Sequence, residues 1–431
     1  RQRQMCIRDS PKPESCGVTL SLLSHSALML LPVLRPRWVL ALRSTIRAMS
    51  TSPVARLDAS KLQVELSSST RKCPPFDQLR FGKTFTNHML VVPWAKESGW
   101  GVPKIHEYRN FSMDPSATVF HYAPCLFEGL KAYRDPQGEV RLFRPDQNME
   151  RMNKSATRIA LPNFDGEELI KLIKKLIQVD AEWVPNEPGY SLYVRPTLIG
   201  TEASLGVGEN QEALLFVIMS PVGPYYSTGV KPVALEANPE RVRAWPGGTG
   251  DSKLGANYAP GVMPQREAAE RGYQQNLWLF GDEHWLTEVG TMNMFVVLRK
   301  EDGSLEVVTP PLNGMILPGV TRSSILGLLR AHVDGSAPLP GLPKNLIVSE
   351  RDINMKEIVD AEANGTLCEM FGAGTAAVVS PVDKIGYMGR DIHVPVTERG
   401  FGEVAEAVHN KLSAIQWGNE EHPWSVKIND V

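Results

Sequence analysis

Strand-like apolar runs recur along this sequence at Ser191 to Leu198, Ala213 to Met219, Leu277 to Phe280, Met294 to Leu298, Asn345 to Val348 and Ala376 to Val379, with helix-length amphipathic stretches between them at uneven intervals. That irregular alternation lacks the even rhythm of an eightfold β/α barrel, and no internal repeat is present. It predicts an α/β fold of the α+β type, with mixed sheets covered by helices. One helix is expected after Asp165: Asp165 and Glu168 read as a capping box, and Leu169, Leu172, Ile173, Leu176 and Ile177 recur at helical spacing until Pro185. Lys171, Lys174 and Lys175 form its solvated face. A last helix carries Val404, Val408, Leu412 and Ile415 and halts at Gly418.

At 431 residues the chain can build two or three cores, and 42% apolar with 22% charged residues excludes disorder and collagen. The net charge of -2 gives no pull towards nucleic acid or an anionic membrane, so a small molecule is the expected partner. Five cysteines form no CxxC pair, and nine histidines include no HExxH, which argues against a disulfide framework and a zinc site.

Four parts are expected: an N-terminal extension over 1–73, a smaller α/β domain over 74–220, a Pro- and Gly-bearing linker over 221–232, and a second α/β domain over 233–431. Residues 1–12 match nothing that follows and read as a remnant. From Ser15 to Leu57 there is no acidic residue, while Arg35, Arg37, Arg43, Arg47 and Arg56 sit among Ser, Leu and Ala. That is a transit-peptide composition and predicts mitochondrial import, with a cytoplasmic form if translation starts at Met49. The apolar stretch from Gly17 to Leu34 is broken by His25 and Pro32 and followed, not preceded, by arginines, so a secretory signal or membrane span fits less well.

The most unusual local sequence runs from Trp245 to Tyr258, where glycines and prolines precede Lys253. It is neither a phosphate-binding P-loop nor a dinucleotide fingerprint, because the lysine and the third glycine are out of place. A solvated surface turn is the plain interpretation. Against it, Asn257 and Tyr258 lead straight into a helix-like stretch, Gly261 to Arg271, so that Lys253 is expected at the mouth of a structured element. A lysine held in a partly desolvated pocket loses its proton readily and reacts with carbonyls. Glu288 lies between two strand-like runs, either facing solvent in a turn or buried with a partner. Arg151, the Leu317–Arg322 segment ahead of a helix, and the Gly372–Ala376 turn each offer donors to an anion, or else serve only as a surface charge, a helix start and a turn.

Together the segments GGTGDSKLGANYAP around Lys253, LTEVGTMNMF around Glu288, LPGVTR at 317–322, LFEGLKAYR from Leu126, LFRPDQNMERM from Leu142 and SLYVRPTLIG from Ser191 resemble the branched-chain amino acid aminotransferases. These are fold-type IV enzymes that use pyridoxal 5'-phosphate, held between two domains. The resemblance runs from about Pro74 to the C-terminus. It makes Lys253 the Schiff-base lysine and the base that moves a proton between substrate Cα and cofactor, Glu288 the partner of the pyridine nitrogen, and Tyr258 the hydroxyl beside the phenolic oxygen. Arg151, the backbone at Val320 and Thr321, and Thr375 would hold the phosphate; Thr291 lies beside both cofactor and substrate, and Arg243 matches a further arginine near the cofactor.

On the substrate side the resemblance implies a cage of Phe81, Tyr122, Phe127, Tyr193, Leu205, Val207, Thr291 and Ala376, with Arg195 near a glutamate γ-carboxylate. Tyr122, Leu205 and Val207 would come from a second subunit, which implies a homodimer. The expected reaction passes the amino group of leucine, isoleucine or valine to 2-oxoglutarate. Related D-amino acid aminotransferases and 4-amino-4-deoxychorismate lyases share the lysine and glutamate, but SLYVRP and LFEGLKAYR favour the branched-chain group. Ala377 and Ser380 stand where some members carry a redox CxxC, so no thiol switch is expected there.

Overall fold

The computed structural model describes residues 54–224 and 231–430, and the residues from Ser52 to Val431 form one compact unit. The expected transit segment up to residue 53 and part of the expected linker lie outside the described residues, whereas the last residues of that segment, 54–57, belong to the described fold. Two mixed sheets organise the fold. The first has ten strands, and across it run Gln63–Val64, Lys104–Glu107, His88–Ala95, Glu212–Val222, Ser191–Gly200, Leu130–Arg134, Val140–Phe143 and, from the far end of the chain, Ser425–Lys427. The second has nine: eight run in the order Trp285–Val289, Gln275–Phe280, Val233–Ala237, Val378–Tyr387, Leu367–Gly374, Met292–Arg299, Leu305–Thr309 and Leu346–Glu350, and Arg390–His393 pairs off this path with Val378–Tyr387. In the second sheet Glu288 and Val289 also pair with Asn293 and Met292, which joins the first strand of that path to the sixth and closes a ring.

Continuous burial, rather than alternation, marks strands that are covered on both faces. Strand Ser191–Gly200 is buried at nine of its ten positions, as a central strand packed on both faces must be. Helices Pro145–Arg158 and Gly166–Val179 cover the first sheet, and their Met152, Leu169, Leu172, Ile173, Leu176 and Ile177 join one apolar cluster with Leu90, Leu198 and Leu215. Helices Val320–Val333 and Glu403–Gln416 cover one face of the second sheet, while Met355–Ala363 helps fill the other.

The expected helices form, with informative differences. Asp165 caps its helix, its carboxylate accepting from the amides of Glu167 at 3.0 Å and Glu168 at 3.4 Å. The capping box is only half made: Glu168 does not reach back to Asp165 but accepts from the Ala59 amide at 2.6 Å and pairs with Lys171. The helix ends at Val179, short of Pro185, and the carboxylate of its C-cap Asp180 accepts from the His88 amide at 2.9 Å and meets the His88 ring at 2.7 Å. The last expected strand begins at Val378, leaving Ala376 in the preceding loop. The ordered chain also starts before Pro74: Leu57 is buried and Gln63–Val64 adds a parallel edge strand to Lys104–Glu107. That strand is exposed on both faces, so it carries no hydrophobic signature.

The Asp165 cap predicts that Asp165→Ala destabilises the protein by about 1 kcal/mol, read as a lower urea midpoint at unchanged slope. A midpoint equal to that of the parent chain would contradict the cap.

Candidate active site

The lysine loop is fixed from three sides. Lys253 donates its backbone N–H to Ser155 Oγ at 2.8 Å and accepts at its carbonyl from the Phe127 amide at 3.1 Å. Leu254 forms an isolated bridge with Leu126. Inside the loop, Asn257 donates to the carbonyls of Thr249 and Ser252 at 2.8 Å each, while Thr249 Oγ1 donates to Asn257 Oδ1 at 2.7 Å. The glycines that suggested a flexible turn therefore serve a closed one.

Lys253 Nζ points into a cleft of about 390 Å³ lined from both sheets. It donates to the Tyr258 hydroxyl at 2.9 Å and lies 4.8 Å from the centre of the Phe127 ring. Burial, reinforced by the charge of Arg151, pushes its ammonium down to about 8. Tyr258 moves the other way, to about 12, because burial and the nearby Glu288 disfavour a phenolate. The solvated-lysine interpretation is thereby excluded.

Arg151 and the expected phosphate donors converge on the same cleft, as do Thr291, Val320, Thr321, Thr375 and Ala376. Arg151 Nε and one terminal nitrogen grip Glu128 at 2.7 and 2.8 Å, and the other terminal nitrogen donates to the Pro318 carbonyl at 3.0 Å. A guanidinium has five N–H groups, so donors are left for a ligand. The helix Val320–Val333 starts at Gly319 without a side-chain cap. Among the described residues the amides of Val320, Thr321, Thr375, Ala376 and Ala377 have no acceptor in the protein. A bare helix start, a loop of free amides and a buried arginine in one cleft form a cradle for a phosphate or carboxylate.

Phe81, Phe127, Tyr193 and Arg195 line the remaining wall. The Tyr193 hydroxyl occupies the space a side chain at position 129 would need, since a Cβ there would meet it at 1.9 Å; Gly129 is required. Arg195 stacks 4.6 Å from the Phe127 ring centre, donates to the Tyr193 hydroxyl at 3.1 Å, and has a buried Nε with no hydrogen-bond partner among the described residues.

Glu288 is buried immediately behind the cleft. Its carboxylate accepts from the Leu317 amide at 2.8 Å and pairs with Arg243 Nε at 2.8 Å. Burial pushes its carboxyl above the usual range, and Arg243 and the Leu317 amide pull part of the way back. Arg243 thus has a definite partner, with further contacts to the carbonyls of Gly250 and Met315. The structure does not bring Tyr122, Leu205 and Val207 into the cleft of their own chain. They are 45%, 65% and 84% exposed, and Tyr122 donates its hydroxyl to the Leu205 carbonyl at 2.6 Å.

Sequence reasoning missed Glu128, which is fully buried and also accepts from Asn148 Nδ2 at 2.8 Å. Burial would raise its carboxyl, but the charge and hydrogen bonds of Arg151 outweigh that and hold it below the usual range. The available signal was a lone carboxylate amid the apolar run Cys125–Phe127 and Leu130, which needs a cation when buried.

The sequence matches the family model for amino-transferase class IV over residues 125–385. It is 53% identical to the mitochondrial branched-chain-amino-acid aminotransferase of Saccharomyces cerevisiae over 390 residues, 90% of this chain and 97% of that one. The chain belongs to the class IV aminotransferases. The cytosolic branched-chain-amino-acid aminotransferase of the same yeast is 53% identical over 88% of this chain and 99% of its own length. The mitochondrial enzyme of Bos taurus is 49% identical, covering 86% and 92% respectively. Among solved structures, the branched-chain aminotransferase of Thermoproteus uzoniensis with norvaline superposes with a TM-score of 0.61 at 22% identity, over 79% of this chain and 99% of that one. The branched-chain amino acid aminotransferase of Thermobaculum terrenum in its PLP-form gives 0.59 at 20% identity, over 78% and 98%. The mixed two-sheet architecture is therefore that of the fold-type IV enzymes.

An amine reacts as its neutral form, so acylation of Lys253 in the cofactor-free class IV chain should rise with pH and level off above about 8. Peptide-resolved labelling with acetic anhydride checks this. A half-point near 10.5, the ordinary lysine value, would contradict the desolvated amine.

Proposed function

We propose that the cleft catalyses reversible transfer of the amino group of leucine, isoleucine or valine to 2-oxoglutarate, with pyridoxal 5'-phosphate as cofactor, in branched-chain amino acid biosynthesis and degradation. The observation that carries this is a single desolvated amine, Lys253 Nζ, facing a cradle of free amides and Arg151 across one cleft. The identity with curated branched-chain enzymes over nearly the whole chain supports the substrate class.

The cofactor's phosphate suits Arg151, the amides of Val320 and Thr321, and Thr375, while Glu288 suits its ring nitrogen and Tyr258 its phenolic oxygen. When bound, it supplies a carbonyl that accepts an amine and a ring that draws electron density from the substrate Cα. The protein's part is to position and to move protons. Lys253 Nζ takes and returns the proton at the substrate Cα, and its depressed pKa leaves a useful neutral fraction near neutral pH. Arg243 favours the ionised form of the buried Glu288 and so opposes the upward push of burial. The amides of Thr375–Ala377 receive the substrate α-carboxylate, and Phe81, Phe127 and Tyr193 enclose its side chain. The guanidinium of Arg195, with the Tyr193 hydroxyl, is the contact for the γ-carboxylate of glutamate.

Two further parts of the proposal rest on sequence and exposure. The apolar, exposed Tyr122, Leu205 and Val207 complete the cleft of a second copy, making the enzyme a homodimer. The acid-free, arginine-bearing N-terminal segment directs it to mitochondria, and relatives of both mitochondrial and cytosolic kinds have comparable identity. Apart from Ser425–Lys427, which returns to the first sheet, the strands of the two sheets divide between Val222 and Val233, which supports domains over 74–220 and 233–431 joined at 221–232 with the last strand crossing back.

Lys253→Ala should reduce transamination to background without loss of folding, and Lys253→Arg should fail as well because a guanidinium stays protonated. Half the parent activity in either variant would overturn the lysine's role. In steady-state assays against 2-oxoglutarate, leucine, isoleucine and valine should differ by only ~1–3 kcal/mol in kcat/KM, the worth of one methylene. Aspartate, too short to reach Arg195 from the same anchor, should be a poor donor; aspartate reacting faster than leucine would refute the substrate assignment.

A further inference from the structure

Lys131 is a buried lysine for which the reaction has not yet required a role. It lies in strand Leu130–Arg134 of the first sheet, directly opposite Tyr193 in the antiparallel ladder. Cross-strand partners share a sheet face, so Lys131 stands on the same side as the ring that lines the cleft. The residue is only 8% exposed. Among the described residues no carboxylate pairs with it, and burial pushes its ammonium down to about 8. Desolvating a cation without an anion is unfavourable, so the position is not an indifferent place for lysine.

Its Nζ donates to the carbonyl of Ala376 at 2.7 Å, across 245 positions of sequence and from one sheet to the other. The acceptor lies in the loop Thr375–Ala377, which the Gly374–Val378 pair closes at the end of a hairpin. All three loop residues line the cleft, and their amides have no protein acceptor among the described residues. No other side chain of the described residues makes a hydrogen bond to this loop. The loop is also strained: Val378, a β-branched residue, has φ +61°. A strained conformation persists only where its surroundings over-determine it. The Lys131 tie supplies that determination from the opposite sheet.

We infer that Lys131 is a positioning residue for carboxylate recognition: by holding the Ala376 carbonyl it turns the peptide groups of Thr375–Ala377 so that their N–H groups face the substrate carboxylate. A peptide unit is planar, so fixing a carbonyl oxygen also fixes the N–H of the residue that follows. The inference rests on the assignment of this loop to the substrate α-carboxylate. It adds that the loop's aim depends on a side chain outside the cleft wall.

The test separates the two claims. Equilibrium binding of 4-methylvalerate and of its neutral isostere 4-methylvaleramide to the pyridoxal-phosphate-loaded enzyme is measured by calorimetry, and the ratio of their Kd values isolates recognition of the carboxylate. The parent enzyme should favour the acid by about tenfold or more, as charge-assisted hydrogen bonds do. In Lys131→Met the ratio should fall at least about fivefold with cofactor content unchanged, while Lys131→Arg, which keeps a donor, should recover most of it. Lys131→Gln, whose amide nitrogen falls one bond short of the lysine Nζ and so of the Ala376 carbonyl, is measured in parallel, so that the ratio is read even where methionine prevents folding, and it should also fall. A parent ratio near one refutes the assignment of the loop. A large parent ratio that survives in Lys131→Met or Lys131→Gln refutes the role of Lys131.

Discussion

The buried ion pair between Glu128 and Arg151 is the interaction on which the cleft depends. One partner follows strand Cys125–Phe127 and the other lies mid-way along helix Pro145–Arg158, and both are almost wholly out of water. Removing either would strand a buried charge, at a cost of about 3–5 kcal/mol. The pair sets the helix against the sheet, and the same helix face then does two further things. Asn148, three residues before Arg151, donates to Glu128; Ser155, four residues after it, accepts the Lys253 amide. One helical stripe thus aims the anion-binding arginine and the reactive lysine together.

Charge follows from that arrangement. Arg151, Arg195 and Lys253 face the cleft, whereas Glu128 is spent on Arg151 and Glu288 on Arg243 behind it. Among the described residues Arg195 and Lys253 are left without a paired carboxylate, Arg151 keeps N–H groups that Glu128 and Pro318 do not use, and the amides of the cleft are free. This suits ligands that bring a phosphate and carboxylates with them, and it explains why Lys253 holds its proton weakly: burial and a neighbouring guanidinium both disfavour its charge. Three glycines whose space is taken, Gly129 by Tyr193, Gly319 by Asn293 and Gly250 by the Met315 carbonyl, let these walls approach so closely.

Periodicity made the helices Gly166–Val179 and Glu403–Gln416 legible, because each buries one regular stripe. Nothing local announces the helix start at Pro145, where Arg144 turns the chain at φ +45° with no capping side chain. The edge strand Gln63–Val64 was invisible because both its residues are exposed. Within the site, motif resemblance pointed to Lys253, Arg151, Tyr258, Thr321 and Thr375, which the fold gathers in one cleft. Glu128 and Lys131 lay inside a quoted motif without being singled out. Their significance comes from partners 23 and 245 positions away, a long-range relation that no local pattern encodes.

One amine, Lys253 Nζ, is proposed as the point of covalent attachment for the cofactor. Reduction of the pyridoxal-phosphate-loaded enzyme with borohydride, followed by peptide mapping, tests it directly. A single phosphopyridoxyl adduct on Lys253 is expected. An adduct on another lysine, Lys131 included, or none on Lys253, would contradict it.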